Sequence, residues 1–188
     1  NNNYPAIKRT NSGRIIVSPV LIELFAVEEK ANSLSMYIPS EKERAHLLLL
    51  MLLSSNDELS LIHFSSALQV SKNTILRDIK AAQKIVDIHQ LEIVYSRMYG
   101  YDIMGEEWNK RRLLVFVLRK IFEIHQGESY IRQLGQFSKE DIEKMKFRIE
   151  EVEGVLGHTF IDARMRLLPY IIAILLRRIG KGQVIADS

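Results

Sequence analysis

SLIHFSSALQVSKNTILRDIKAAQKIVD, Ser60 to Asp87, is the stretch that decides the fold. A short apolar-periodic segment, Leu61, Phe64, Ser65 and Leu68, comes first. Gln69 and Val70 follow, and then Ser71, whose hydroxyl can accept a hydrogen bond from the backbone of Asn73 or Thr74 and so open a second helix. That helix carries Ile75, Ile79, Ala82, Ile85 and Val86 on one face. Lys72, Asn73, Arg77, Lys80, Gln83 and Lys84 occupy the other. Two helices across a tight turn, the second with long polar side chains near its start, predict a helix-turn-helix. Many such turns place glycine where this chain has Gln69, because positive φ is needed there; glutamine takes that conformation at some steric cost.

The chemistry of the second helix suits double-stranded DNA. A helix fits the major groove, and its N-terminal residues meet base edges. Asn73 can pair with adenine through both its polar atoms, and Arg77 can fork onto guanine or a phosphate. Thr74 offers a methyl or a hydroxyl, and Lys72 and Lys80 flank them with charge. Taken singly, each of these residues reads equally well as solvated surface. Leu91–Ser96 alternates as a strand, Arg97–Gly100 turns, and Tyr101–Met104 returns. Helix, helix, helix, hairpin is the order of a winged helix, whose wing would bring Arg97 and Tyr99 to phosphates; an ordinary hairpin is the plainer alternative.

A similar hairpin opens the chain. Ile7-Lys8-Arg9 and Arg14-Ile15-Ile16-Val17 flank the turn cluster Thr10–Gly13. It reads as the remnant wing of a preceding winged helix, which makes Lys8, Arg9 and Arg14 further candidate DNA contacts and the chain a fragment. The expected architecture is mainly α. A remnant wing spans residues 1–17, a connector helix and linker 18–39, a winged helix-turn-helix 40–105, and an all-α helical domain 106–188. Ser40 with Glu43 forms a capping box ahead of a first helix, Glu41–Ser54, that is apolar nearly all round. Beyond the wing, a helix is expected over Glu106–His125 and a loop over Gln126–Phe137. Another helix should run from Ser138 to about Leu156, and a long apolar one over Phe160–Ile179. Pro169 should kink that last helix unless it falls in a first turn.

Composition removes several function classes. The chain has 188 residues, no cysteine and a formal net charge of +3. Disulfides, thiolate metal sites and a cysteine nucleophile are excluded, and the absence of cysteine fits a cytosolic protein. No apolar run reaches the roughly 18 residues a membrane helix needs, and Asn1–Pro5 shows no basic-then-apolar leader pattern. His46, His63, His89, His125 and His158 share no metal-ligand spacing. No nucleophile–base arrangement is visible, so no enzyme and no cofactor are expected.

Gly100-Tyr101-Asp102-Ile103-Met104-Gly105-Glu106-Glu107, followed by Arg111 or Arg112, resembles a signature that follows the second winged helix of bacterial sugar-operon activators of the mannitol and lichenan regulator type. These belong with the BglG-type antiterminators among regulators that carry phosphotransferase-system regulation domains (PRDs). The stretch from Phe137-Ser138 to Ile185, above all Leu175–Ile185, resembles the start of the first such domain. The resemblance implies a dimeric transcription activator of a carbohydrate-uptake operon, controlled when phosphotransferase-system proteins phosphorylate histidines in its helical domains. The family's usual histidine early in the last helix has no counterpart near Tyr170 or Ile171, which leaves His158 as the candidate phosphoacceptor in this half. A virulence regulator of the Mga type is a related variant. An RNA-binding antiterminator fits poorly, because it would carry a small β domain in place of the winged helix. The competing class is a winged-helix protein-interaction or dimerisation module without specific DNA binding.

Overall fold

A computed structural model describes residues 37–55, 57–157 and 166–185, and the backbone of 8–9 and 15–16. The chain divides into two compact units, Asn1–Ile38 and Pro39–Ser188. In the first, β1 (Lys8–Arg9) and β2 (Ile15–Ile16) pair antiparallel, Lys8 opposite Ile16 and Arg9 opposite Ile15. Part of each strand expected for the opening hairpin is therefore paired; its turn, Thr10–Gly13, lies outside the described residues. The connector helix expected over 18–30 lies outside the described residues.

The second unit is built around α1 (Glu41–Ser54). Its start is set by the expected capping box: Glu43 N donates to Ser40 Oγ at 3.4 Å, and Ser40 N donates to Glu43 Oε2 at 2.7 Å. From Leu47 to Leu53 every side chain is buried. A helix apolar on all sides must be covered on all sides. One side is covered by α3 (Lys72–Ile88), and others by α4 (Glu107–Phe122), α5 (Gly127–Leu134) and α7 (Leu168–Gly180). Each fully buried leucine contributes about 1.5–3 kcal/mol by leaving water.

Polar clamps fix both ends of α1. Near its start, Arg44 grips Asp78 of α3 with two bonds, Nε to Oδ2 at 2.7 Å and Nη2 to Oδ1 at 2.9 Å. Its Nη1 donates to the Pro39 carbonyl at 2.7 Å. Asp78 is fully buried. At the other end α1 has no basic residue of its own. Arg178 of α7 supplies the charge, donating to the Leu53 carbonyl at 3.1 Å, and Lys181 donates to the Ser55 carbonyl at 3.2 Å. Cations there complement the negative end of the helix dipole. Arg178 is held in turn by Glu107 of α4, at 2.9 and 2.6 Å.

The helix-turn-helix consists of α2 (Leu61–Leu68) and α3. Gln69 takes the left-handed conformation that the turn requires, with φ 54° and ψ 41°, and its Nε2 donates to the Ser66 carbonyl at 2.6 Å. Ser71 caps α3 by accepting from Thr74 N at 3.2 Å. The wing is β3 (Glu92–Ser96) paired antiparallel with β4 (Gly100–Met104). Leu59 adds a bridge to its edge, accepting from Tyr101 N at 2.7 Å. Gly100 sits at φ 68°, and a Cβ there would collide with the Leu59 carbonyl.

Two expectations for the helical half need correction. The loop expected over Gln126–Phe137 contains α5. Its start is tight: Gln126 has φ 55°, and a Cβ on Gly127 would collide with the Ile121 carbonyl. Among its residues only Gly127 and Ile131 are buried, so its apolar period is too short to register in the sequence. Of the helix expected over Phe160–Ile179, residues 160–165 lie outside the described residues; a turn at Arg166–Leu167 precedes α7, which starts at Leu168 with Pro169 in its first turn and no kink required. Between them α6 (Lys139–Leu156), capped by Ser138 as expected, packs on α7. Arg177 of α7 donates to the carbonyls of Gly135 and Gln136 at 2.6 and 3.0 Å, which ties the end of α5 to α7.

Removing one partner of a buried ion pair leaves the other charge uncompensated. Arg44→Ala is therefore expected to cost about 3–5 kcal/mol in urea unfolding, and Arg44→Met with Asp78→Leu to recover most of that loss. A double variant as unstable as the single one would contradict the clamp. Burial pushes the Glu107 carboxyl up, but hydrogen bonds and charge from Arg178 and then Arg111 outweigh it and hold the group below its ordinary value of 4.5. The stability it contributes is complete above that ordinary value and is lost as pH falls through the lower native one. Glu107→Gln should reduce stability at neutral pH and shrink its decline as pH falls below the ordinary value of 4.5. An unchanged acid limb in thermal melts would contradict this.

Candidate nucleic-acid interface

The outer face of α3 is a continuous line. Lys72, Asn73, Arg77, Lys80 and Lys84 are exposed at successive turns. None of these four cations forms an ion pair among the described residues, and neither does Arg97. The two carboxylates of α3 lie away from the start of this line. Asp78 is turned inward onto Arg44, and Asp87, in the last turn, accepts from Gln83 Nε2 at 2.6 Å. The N-terminal two turns therefore present positive charge with no acidic neighbour from their own helix.

Thr74 differs from the open polar residues around it. It is half-buried, and its hydroxyl lies 2.9 Å from Ser71 Oγ, inside the cap. Gln83 also differs from its reading as a face residue. It is half-buried and accepts from Ile93 N at 2.9 Å, which joins α3 to the wing. Leu76 was missed by sequence reasoning. It is 42% exposed in the middle of the polar line, where an apolar side chain can meet a thymine methyl. Its spacing, three residues after Asn73 and four before Lys80, was the available signal.

At the wing tip Arg97, Met98 and Tyr99 are all exposed. Tyr99 N donates to Ser96 Oγ at 2.9 Å, which closes the turn. The wing is seated on the helix-turn-helix by Tyr101, whose ring lies 5.8 Å from Phe64 of α2 and 4.8 Å from Tyr95. Burial, and then Tyr95, push the Tyr101 phenol above its ordinary value. Tyr99 also borders a cleft of about 190 Å³ shared with Lys181 and Gln183, so the wing meets the end of the helical half.

The remaining candidates are placed as follows. His63, on α2, accepts from Ser60 N at 3.2 Å through Nδ1 and so completes that helix's start. Lys8 and Arg9 lie in β1 of the first unit; their side chains, and Arg14 and His158 altogether, lie outside the described residues. Among the described residues no cluster of histidines and carboxylates could hold a metal, and no helix is long and apolar enough to cross a membrane.

No curated protein matches the chain. Residues 30–117 match the family model of the Mga helix-turn-helix domain. That span takes in α1, the turn at Gln69, the whole of α3 and the wing, so the segment carrying the candidate interface is a helix-turn-helix domain similar to that of Mga.

Proposed function

We propose that the chain is a DNA-binding transcription regulator that lays α3 into the major groove and rests its wing on the sugar-phosphate backbone. The observation that carries this reading is the exposed cationic line on the outer face of α3, free of ion pairs among the described residues, within the segment that matches the Mga helix-turn-helix domain. In this pose Asn73, Leu76 and Arg77 reach base edges, while Lys72, Lys80 and Arg97 contact phosphates.

The match at residues 30–117 favours a regulator of the Mga type. Control of a carbohydrate-uptake operon by the phosphotransferase system, in a homodimer, rests on the resemblance of Gly100–Glu107 and Leu175–Ile185. The resemblance places that family's usual histidine near Tyr170 or Ile171, where this chain has none, and the surroundings of Tyr170 do not favour phosphorylation there. Tyr170 is fully buried between Phe122 and Phe137, and its hydroxyl donates to Glu128 Oε1 at 2.9 Å. A phosphoacceptor would then lie elsewhere, with His158 the candidate in this half.

Duplexes selected from a random library supply the test. Arg77→Ala should weaken binding to a selected site by about 1–3 kcal/mol and relax the preference at one position. Arg97→Ala should weaken all sequences alike and reduce the slope of log affinity against log salt by about 1. If both variants bind every duplex as the parent does, α3 is not the reading helix. Self-association with no retention of DNA at low salt would assign the fold to protein interaction.

A further inference from the structure

On the helical half, α4 carries a second exposed face that the regulator reading does not use. Trp108, Arg112, Val115 and Arg119 are exposed at helical spacing over about three turns, roughly 16 Å. With Phe116 and with Leu175 of α7 they enclose a trough of about 540 Å³. Small-molecule sites commonly fall in the range of about 300–1,000 Å³.

The charge of the trough is one-sided. Arg111, Arg112 and Arg119 line it, and among the described residues no carboxylate does. Arg111 is committed to Glu107 and to the Gln183 carbonyl. Arg112 and Arg119 form no ion pair among the described residues, although the charge of Arg119 also acts on Glu123, which lies outside the trough lining. A twofold pairing of this face with its own copy would bring guanidiniums toward guanidiniums. His89, the C-cap of α3, closes one side, its ring tilted against that of Phe116 at 5.5 Å. Burial, and then Arg112, push its imidazole below the ordinary value, which disfavours a further positive charge beside the arginines.

We propose that this trough binds a small amphipathic anion, an apolar body lying on Val115, Phe116 and Leu175 beside Trp108, with a carboxylate or phosphate held by Arg112 and Arg119. The inference is independent of the DNA-binding reading. Because His89 ends α3, an occupied trough touches the C-terminus of the candidate reading helix.

Trp108 is the only tryptophan in the chain, so its emission reports directly on occupancy. The intact chain would be titrated with dodecanoate below its micelle concentration. Dodecanol, dodecyltrimethylammonium and inorganic phosphate would be titrated in parallel. Saturable 1:1 binding of dodecanoate is expected, at least tenfold tighter than for the neutral or cationic chain, with no saturable response to phosphate. Arg112→Gln with Arg119→Gln should weaken dodecanoate at least tenfold with an unchanged circular dichroism spectrum, and Arg112→Lys with Arg119→Lys should retain most of the binding. Equal affinity for the cationic chain, undiminished binding by the glutamine variant, or no saturable binding at all would overturn the proposal. So would a glutamine variant that loses only non-specific DNA retention, which would assign the two arginines to nucleic acid.

Discussion

A helix with apolar side chains around its whole circumference cannot lie on a surface. From Leu47 to Leu53, α1 offers no side that water can cover. The chain covers it from two directions, with the helix-turn-helix through α3 and with the helical half through α4, α5 and α7. The two halves therefore share a core, and neither can be lifted away without exposing leucines. The polar contacts follow the same division. Arg44 joins the start of α1 to α3, and Arg178 joins its end to α4 and α7.

This sharing bears on how the candidate interface is held. A reading helix must keep its N-terminal side chains in a fixed pose, because base-edge contacts depend on position to a fraction of an ångström. The inner face of α3 is seated by Ile75, Ala82 and Val86 against the core and by Asp78 against Arg44. Its far end is joined to the wing by Gln83 and Ile93. The side chains of Lys72, Asn73, Arg77, Lys80 and Lys84 on the outer face are exposed, and among the described residues its cations form no ion pair. The same helix α1 packs on α3 and on α4 and α7, so one layer of side chains separates the candidate interface from the helical half.

Where local chemistry decides, sequence and structure agree. Ser40, Ser71 and Ser138 each open a helix at the expected residue, because an N-cap is a contact within four residues. Gln69 was legible as a turn residue for the same reason, even without glycine. What could not be read depends on distant partners. Nothing local distinguishes Asp78 from the other polar residues of α3; only Arg44, 34 positions away, makes it a buried anchor. Leu59 gave no strand signal, since a single bridge has no periodicity. The all-round apolar pattern of α1 was visible, but the elements that cover it were not. Arg177 and Arg178, within the stretch that resembles a regulation domain, serve in the fold as donors to the ends of α5 and α1.

Native-state hydrogen exchange tests the shared core most directly. If α1 welds the two halves, the slowest amides of α3, from Ile79 to Val86, and those of α4, from Leu113 to Ile121, open with the same free energy and the same denaturant dependence. Opening of α3 at markedly lower free energy, with α4 and α7 still protected, would show that the reading helix and the helical half fold as separate units, and the account would fail.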